Sequence, residues 1–219
     1  MTIKDVKDII DFITNKYQLG YVSGDEFNKI FRISELGYLS FLLGNQHQYN
    51  PGRPVPRVGL NMSKANTERL APFRFTLATP SGVSGEISKM SDVAAIETMN
   101  TVDGKKLTYV SPNRLSYYLN SAVWNLVDQP IYVEYDTYYR TYPENLSVVV
   151  TAIRMPPFTK WEYDVIDDIE VYNNARSVDP IWKPLDVVEI IGRMCKHIGV
   201  SLKDGELMNY AQSIINQGE

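Results

Sequence analysis

TYPENLSVVVTAIRMPPFTKWEY, from Thr141 to Tyr163, is the stretch that decides the fold. Within it, Leu146 to Ile153 is the most β-biased run of the chain. Its branched side chains fit a pleated surface better than a helix. Pro156 and Pro157 stop the run, because proline cannot donate to a strand ladder, and Trp161 follows shortly after. Upstream, the chain reads as helices and then short strands. Downstream, it reads as a polar crossing and then a helical tail. The fold class expected is α+β: an N-terminal helical hairpin, a central antiparallel β-sheet or sandwich, and a C-terminal helical pair.

Working back from that run, Tyr138 to Tyr142 is expected to pair with Leu146 to Met155 across the loop Pro143-Glu144-Asn145. Ile131, Val133 and Tyr135 alternate with Tyr132, Glu134 and Asp136, the pattern of a half-buried antiparallel strand. Asp103-Gly104 signals a type I′ hairpin, with Lys106 to Val110 returning. Further strands are expected at Phe73 to Thr79, Gly85 to Met90 and Val93 to Met99, with a turn cluster from Pro80 to Gly85. Ser111-Pro112 opens a short helix, Asn113 to Leu119, by placing proline at the first helical position.

The amino-terminal part is helical by spacing. Ile3, Val6, Ile9, Ile10, Ile13 and Tyr17 form one apolar stripe, with Lys and Asp assigned to the opposite face. Thr2 with Asp5 resembles a capping box, and Ser23 with Glu26 forms an S-x-x-E box. A second helix follows from Phe27 through Leu42 to about Gly44. Two amphipathic helices joined by a short loop are expected to pack as an αα-hairpin. Residues 45–62 hold Pro51, Pro54 and Pro56 and lack periodicity, so they read as a surface loop or as an extended arm reaching a neighbouring subunit. Ser63 to Leu70 is a short helix closed by Pro72. The segments divide as 1–72 (helical hairpin plus arm), 73–178 (β-rich body) and 179–219 (helical tail). In the tail, Asp179-Pro180 begins a helix carrying Leu185, Val188, Ile191, Met194 and Ile198, ended by Gly199. Asp204 caps a last helix with Leu207, Tyr210, Ala211, Ile214 and Ile215 as its stripe.

Composition excludes several functions. A net charge of −4, with no lysine or arginine run, argues against a sequence-reading DNA binder. A single cysteine, Cys195, excludes an internal disulfide. No stretch approaches membrane-spanning length, and MTIKDVKDII does not read as a signal peptide. Fifteen tyrosines against seven phenylalanines suit either protein interfaces or a sheet with half-buried aromatics.

Chemistry is hard to find. P-loop, G-x-G-x-x-G, G-x-S-x-G and H-E-x-x-H patterns are all missing. The two histidines are His47, in the proline-rich segment, and His197. Cys195 and His197 lie two apart on a helix and face different ways. Cys195 reads as a small core residue and His197 as a cation near a helix end. Asp164, Asp167, Asp168 and Glu170 cluster as for a divalent cation, but lack EF-hand spacing and read as a solvated loop. Tyr138-Tyr139-Arg140 reads as strand packing. Catalytic, cofactor-binding and metal residues are therefore expected to be none, and an unrecognised carboxylate pair is the only enzymatic alternative.

Three segments taken in order carry a family resemblance. They are Gly20-Tyr-Val-Ser-Gly-Asp-Glu-Phe-Asn28 with a closing Leu70-Ala-Pro-Phe73; Tyr142-Pro143 through the β run to Arg154-Met-Pro156 and Trp161-Glu-Tyr163; and Val188-Glu-Ile-Ile191 through Ile198-Gly199-Val200 to Tyr210-Ala211. Together they resemble ring proteins of the head-to-tail connector in crAss-like podoviruses and related tailed phages. The resemblance implies a structural virion protein: a subunit of a cyclic, commonly dodecameric, homo-oligomer in the neck or tail, made in the bacterial host cytoplasm. Its implied partners are the portal, neighbouring ring or tail proteins, and the genomic duplex as it passes the lumen during DNA ejection. It implies no cofactor, no membrane and no catalytic residue. The alternative from another class is a non-ring adaptor that docks a partner through a Tyr-rich sheet.

Overall fold

The computed structural model describes residues 1–16, 20–44, 64–79, 85–121, 129–201 and 212–213. The expected arm at 45–62, His47, the Asp204 cap and most of the last helix lie outside the described residues. The chain forms two compact units: one of Met1–Pro72 together with Pro156–Glu219, the other of Phe73–Met155. The segment 156–178, assigned to the β body from sequence, thus falls with the helices. Among the described residues no helix is long and apolar enough to cross a membrane.

The helical unit begins with α1 (Ile3–Lys16) and α2 (Gly24–Leu42). Both predicted caps form. Thr2 N–H donates to Asp5 Oδ2 at 2.8 Å while Asp5 N–H donates to Thr2 Oγ1 at 3.2 Å. Ser23 and Glu26 exchange the same pair of bonds at the start of α2. Each box satisfies amides that a helix start leaves unpaired. Ile3, Val6 and Ile10 are buried as the stripe requires, but Lys7 is buried with them. It lies four residues after Ile3 and three before Ile10, on the apolar face and not on the polar one. A short α3 (Lys64–Arg69) runs into a 3-10 turn at Ala71–Phe73.

The second unit is a two-sheet sandwich. One sheet has β1 (Arg74–Thr79), β7 (Val148–Arg154) and β3 (Val93–Thr101), with β7 in the centre and both pairings antiparallel. The other has β2 (Glu86–Ser88), β6 (Tyr138–Tyr142), β5 (Ile131–Glu134) and β4 (Thr108–Tyr109). Between them, Met99, Leu107, Val148, Val150 and Ala152 pack with Ile87, and Tyr132 and Tyr139 close over this cluster. A short helix α4 (Leu115–Leu119) follows a 3-10 turn at Pro112–Arg114, where the sequence placed one helix.

Three expectations change here. Strands β6 and β7 do not form a hairpin: β6 pairs with β2 and β5, and β7 pairs with β1 and β3 in the opposite sheet. The run Val148 to Ile153 is apolar on both faces and buries a residue on each, so it takes a central position between two partners. At Asp103-Gly104 only the glycine has positive φ (85°), whereas a type I′ turn needs it at both positions. Gly104 N–H instead donates to Thr101 O, giving a turn followed by a left-handed glycine. The returning segment touches β3 at Lys106 and then crosses, so that β4 pairs with β5 in parallel in the other sheet. That sheet is therefore mixed.

Past Met155 the chain returns to the helical unit. The expected acidic loop is a two-stranded hairpin, β8 (Tyr163–Ile166) and β9 (Ile169–Tyr172). Asp167 and Asp168 form its turn with φ of 51° and 62°, the left-handed pair of a type I′ connection. A long helix, α5 (Pro184–Ser201), starts five residues after Asp179 and runs past Gly199. Asp179 serves elsewhere: its Oδ1 accepts the Ile3 N–H at 2.7 Å, so a residue from the far side of the chain caps α1. The buried stripe of α5 is Val187, Ile190, Ile191, Met194, Cys195 and Ile198, while Leu185 and Val188 are exposed. The main partner of α2 is α5 and not α1, so the two N-terminal helices do not form the close backbone pair expected.

Candidate functional site

The feature of the helical unit that packing alone does not explain is the β8–β9 hairpin. Its sequence, YDVIDDIEVY, mirrors about Asp167-Asp168 at Tyr163/Tyr172 and Ile166/Ile169 and differs at Asp164/Val171 and Val165/Glu170. The register follows that symmetry, Tyr163 opposite Tyr172 and Ile166 opposite Ile169. The base of the hairpin is held tightly. Trp161 is buried and stacks on Tyr163 (5.3 Å between centroids) and on Tyr172 (6.0 Å). Asn28 in α2 acts as a strand edge toward Trp161: its Nδ2 donates to Trp161 O at 3.0 Å, and its Oδ1 accepts Trp161 N–H at 2.8 Å. Glu170 Oε2 accepts from Gly24 N–H (2.9 Å) and from the Tyr21 hydroxyl (2.6 Å), placing a carboxylate at the positive end of α2. Partial desolvation, then the bond to Glu170, hold the Tyr21 phenol above its usual pKa. Gly24 is required sterically: a Cβ there would sit 2.5 Å from the Tyr163 ring and 2.7 Å from Trp161.

Beneath the hairpin lies a cleft of about 500 Å³, walled by α1 on one side and β9 on the other. Lys7 reaches into it with only 2% exposure. Its ammonium donates to both Asp11 oxygens (2.6 and 2.8 Å) and to Val22 O (3.0 Å), using its three donors. The rings of Tyr21 and Trp161 lie 5.0 and 5.3 Å away. A buried cation so compensated is a joint between α1, the Val22 segment and the aromatic base, and it has no donor left for a substrate.

The tip is the opposite. Ile166 is 55% and Ile169 65% exposed, and Val165 and Val171 are also exposed. Asp164 is engaged by Arg176 and by Asn173. The four acids do not converge on one point, and among the described residues no group of three metal-ligating side chains occurs.

The other sequence candidates fall in separate places. Cys195 is buried, and burial pushes its thiol up to about 11, so it is not a nucleophile near neutral pH. Partial desolvation, then the charge of Lys196, lower the His197 imidazole below its usual value, against the expectation of a cation. Tyr139 packs in the sandwich and Arg140 pairs with Glu144. A second polar joint binds α2 to the returning chain: Glu35 accepts from Arg32 (2.7 Å) and from Trp182 Nε1 (3.0 Å). Desolvation raises the Glu35 pKa, opposed by those bonds. Beside it, Tyr38 donates to Asp186 (2.8 Å) and accepts from Arg69 (2.9 Å). Sequence reasoning gave no structural role to Lys7, Gly24 or Asn28, although the last two lie in the singled-out segment 20–28. The signal for Lys7 was its place in the apolar stripe, and the signal for the hairpin was its mirrored sequence.

No protein-family model and no curated protein matches this chain.

Proposed function

We propose that the protein is a structural ring subunit of a phage head-to-tail connector, joining portal to tail and forming part of the DNA channel, and that it works by assembly and not by catalysis. The resemblance of the three segments named above suggests the setting. The observation that carries the assembly role is the β8–β9 hairpin: a rigidly seated base under a tip of exposed aliphatic side chains. Contiguous exposed apolar side chains on a projecting element mark a contact surface. A net charge of −4 suits a lumen that lets duplex DNA slide, since a basic wall would hold phosphate. Imaging intact virus particles and tracing this chain in the neck density tests the reading. A neck built without this chain overturns it.

A second reading, a non-ring adaptor, draws on the sandwich unit, where Tyr109, Tyr117 and Tyr118 are exposed. Tyr is favoured in binding surfaces for its large body and polar tip. Light scattering with negative-stain imaging separates the two: rings favour the first reading, and a monomer that binds its partner one to one favours the second.

A further inference from the structure

We propose that the β8–β9 hairpin of one copy seats on the exposed side of α5 of the next copy, in a head-to-tail contact. This rests on the assembly role proposed above and names its surfaces. The two patches are alike in apolarity and opposite in charge. The hairpin presents Ile166 and Ile169 beside Asp167 and Asp168. The start of α5 presents Leu185, 78% exposed, and Val188, with Ile181 exposed just before the helix. Lys183 stands just before that face, and the exposed Lys196 lies on the same side of the helix about three turns beyond Leu185. Lys183 donates to a backbone carbonyl, that of Glu68, at 3.1 Å. Glu189 is the opposing acid on this face, while Asp186 is buried against Tyr38 and Arg69. The positive end of the α5 dipole adds to the lysines.

This charge pattern excludes pairing either patch with its own kind. Hairpin against hairpin, or α5 against α5, would bring like charges together, and a two-fold dimer satisfies the charges only by exchanging both contacts reciprocally, which stops at two copies. A heterologous contact brings the acidic aliphatic tip onto the basic aliphatic helix face, and it propagates from copy to copy. The polar joints at the hairpin base prepay the ordering of the tip, so binding need not fold it.

Sedimentation velocity on the full chain over a concentration series at low salt tests this. Self-association that weakens with added salt is expected. Two variants are made: Asp167→Asn with Asp168→Lys, and Lys183→Glu with Lys196→Glu, each checked for wild-type circular dichroism. Each alone is expected to weaken association on the order of a hundredfold, from like-charge contact. An equimolar mixture of the two restores association, because each supplies the complement the other has lost. A wild-type chain that stays monomeric throughout, or variants that associate like wild type, overturns the proposal. Negative stain of the same samples keeps the two readings apart. Closed rings that survive both charge swaps sink this contact and leave the ring standing. Open filaments sensitive to the swaps support this contact and count against the closed ring.

Discussion

The sandwich unit and the helical unit solve the same problem by different means. In the sandwich, adjacent strands make the ladders and an aliphatic cluster around Met99, Val148 and Val150 fills the space between sheets. In the helical unit, stretches separated by well over a hundred residues meet, and at each meeting a specific polar joint forms: Asp179 with Ile3, Asn28 with Trp161, Glu35 with Trp182, Tyr38 with Asp186. Hydrophobic burial is non-directional and tolerates exchange. A buried hydrogen-bonded joint accepts only the group that completes it, because the partner left behind stays desolvated. The lesson is that the continuous unit is specified by pattern, while the discontinuous one needs addresses.

That contrast can be broken by substitution. Met99→Ala is expected to cost about 2–5 kcal/mol as a core truncation, while Met99→Leu costs under about 1.5 kcal/mol because volume is kept. Asn28→Leu is also close in volume, but strands the buried Trp161 amide and carbonyl, at about 2–4 kcal/mol for the pair. Urea unfolding followed by circular dichroism reads all three. If Asn28→Leu is as mild as Met99→Leu, the contrast fails. Gly24→Ala follows at about 1–3 kcal/mol, from overpacking against Tyr163 and Trp161, and is read by a changed near-ultraviolet signal from the displaced Trp161. Ser23→Ala removes one half of the α2 capping box at about 1 kcal/mol.

The smallest effect is a slope. Desolvation raises the folded-state pKa of Glu35 above its ordinary 4.5. The folded protein therefore holds that proton more tightly than the unfolded chain. The associated stability is fully present below about pH 4.5 and is lost as pH rises through the raised value. Glu35→Gln is expected to flatten stability against pH in that window, measured by urea midpoints at successive pH values. An unchanged slope would mean that the Arg32 and Trp182 bonds cancel the effect of burial.

Legibility in the sequence followed the same divide. The strands of the sandwich and both capping boxes could be read, because alternation and S-x-x-E are local signals. Which strand pairs with which could not: Tyr138–Tyr142 and Leu146–Met155 looked like neighbours in a hairpin and went to opposite sheets. Proximity along the chain is a weak guide when the second strand is apolar on both faces. In the helical unit, the helices were visible but their partners were not. Nothing local announces that Asp179 caps α1 or that α2 lies along α5. Lys7 was assigned to solvent by residue type, although its position placed it inside. Of the candidate site, the acids at 164–170 drew notice as charges, while the aliphatics among them, exposed beside Asp164, Asp167 and Asp168, did not.

The interrupted helical unit also dictates an order during synthesis. Domains fold as units while the chain emerges from the ribosome. Phe73–Met155 has emerged from the ribosome before residues such as Trp161, Asp179 and Trp182. The nascent sandwich closes first, while α1 and α2 still wait for the second half of their own unit, with Lys7, Asn28 and Glu35 not yet matched. A stop codon shortly after residue 155 is therefore expected to leave a folded β unit carrying helices that cannot settle.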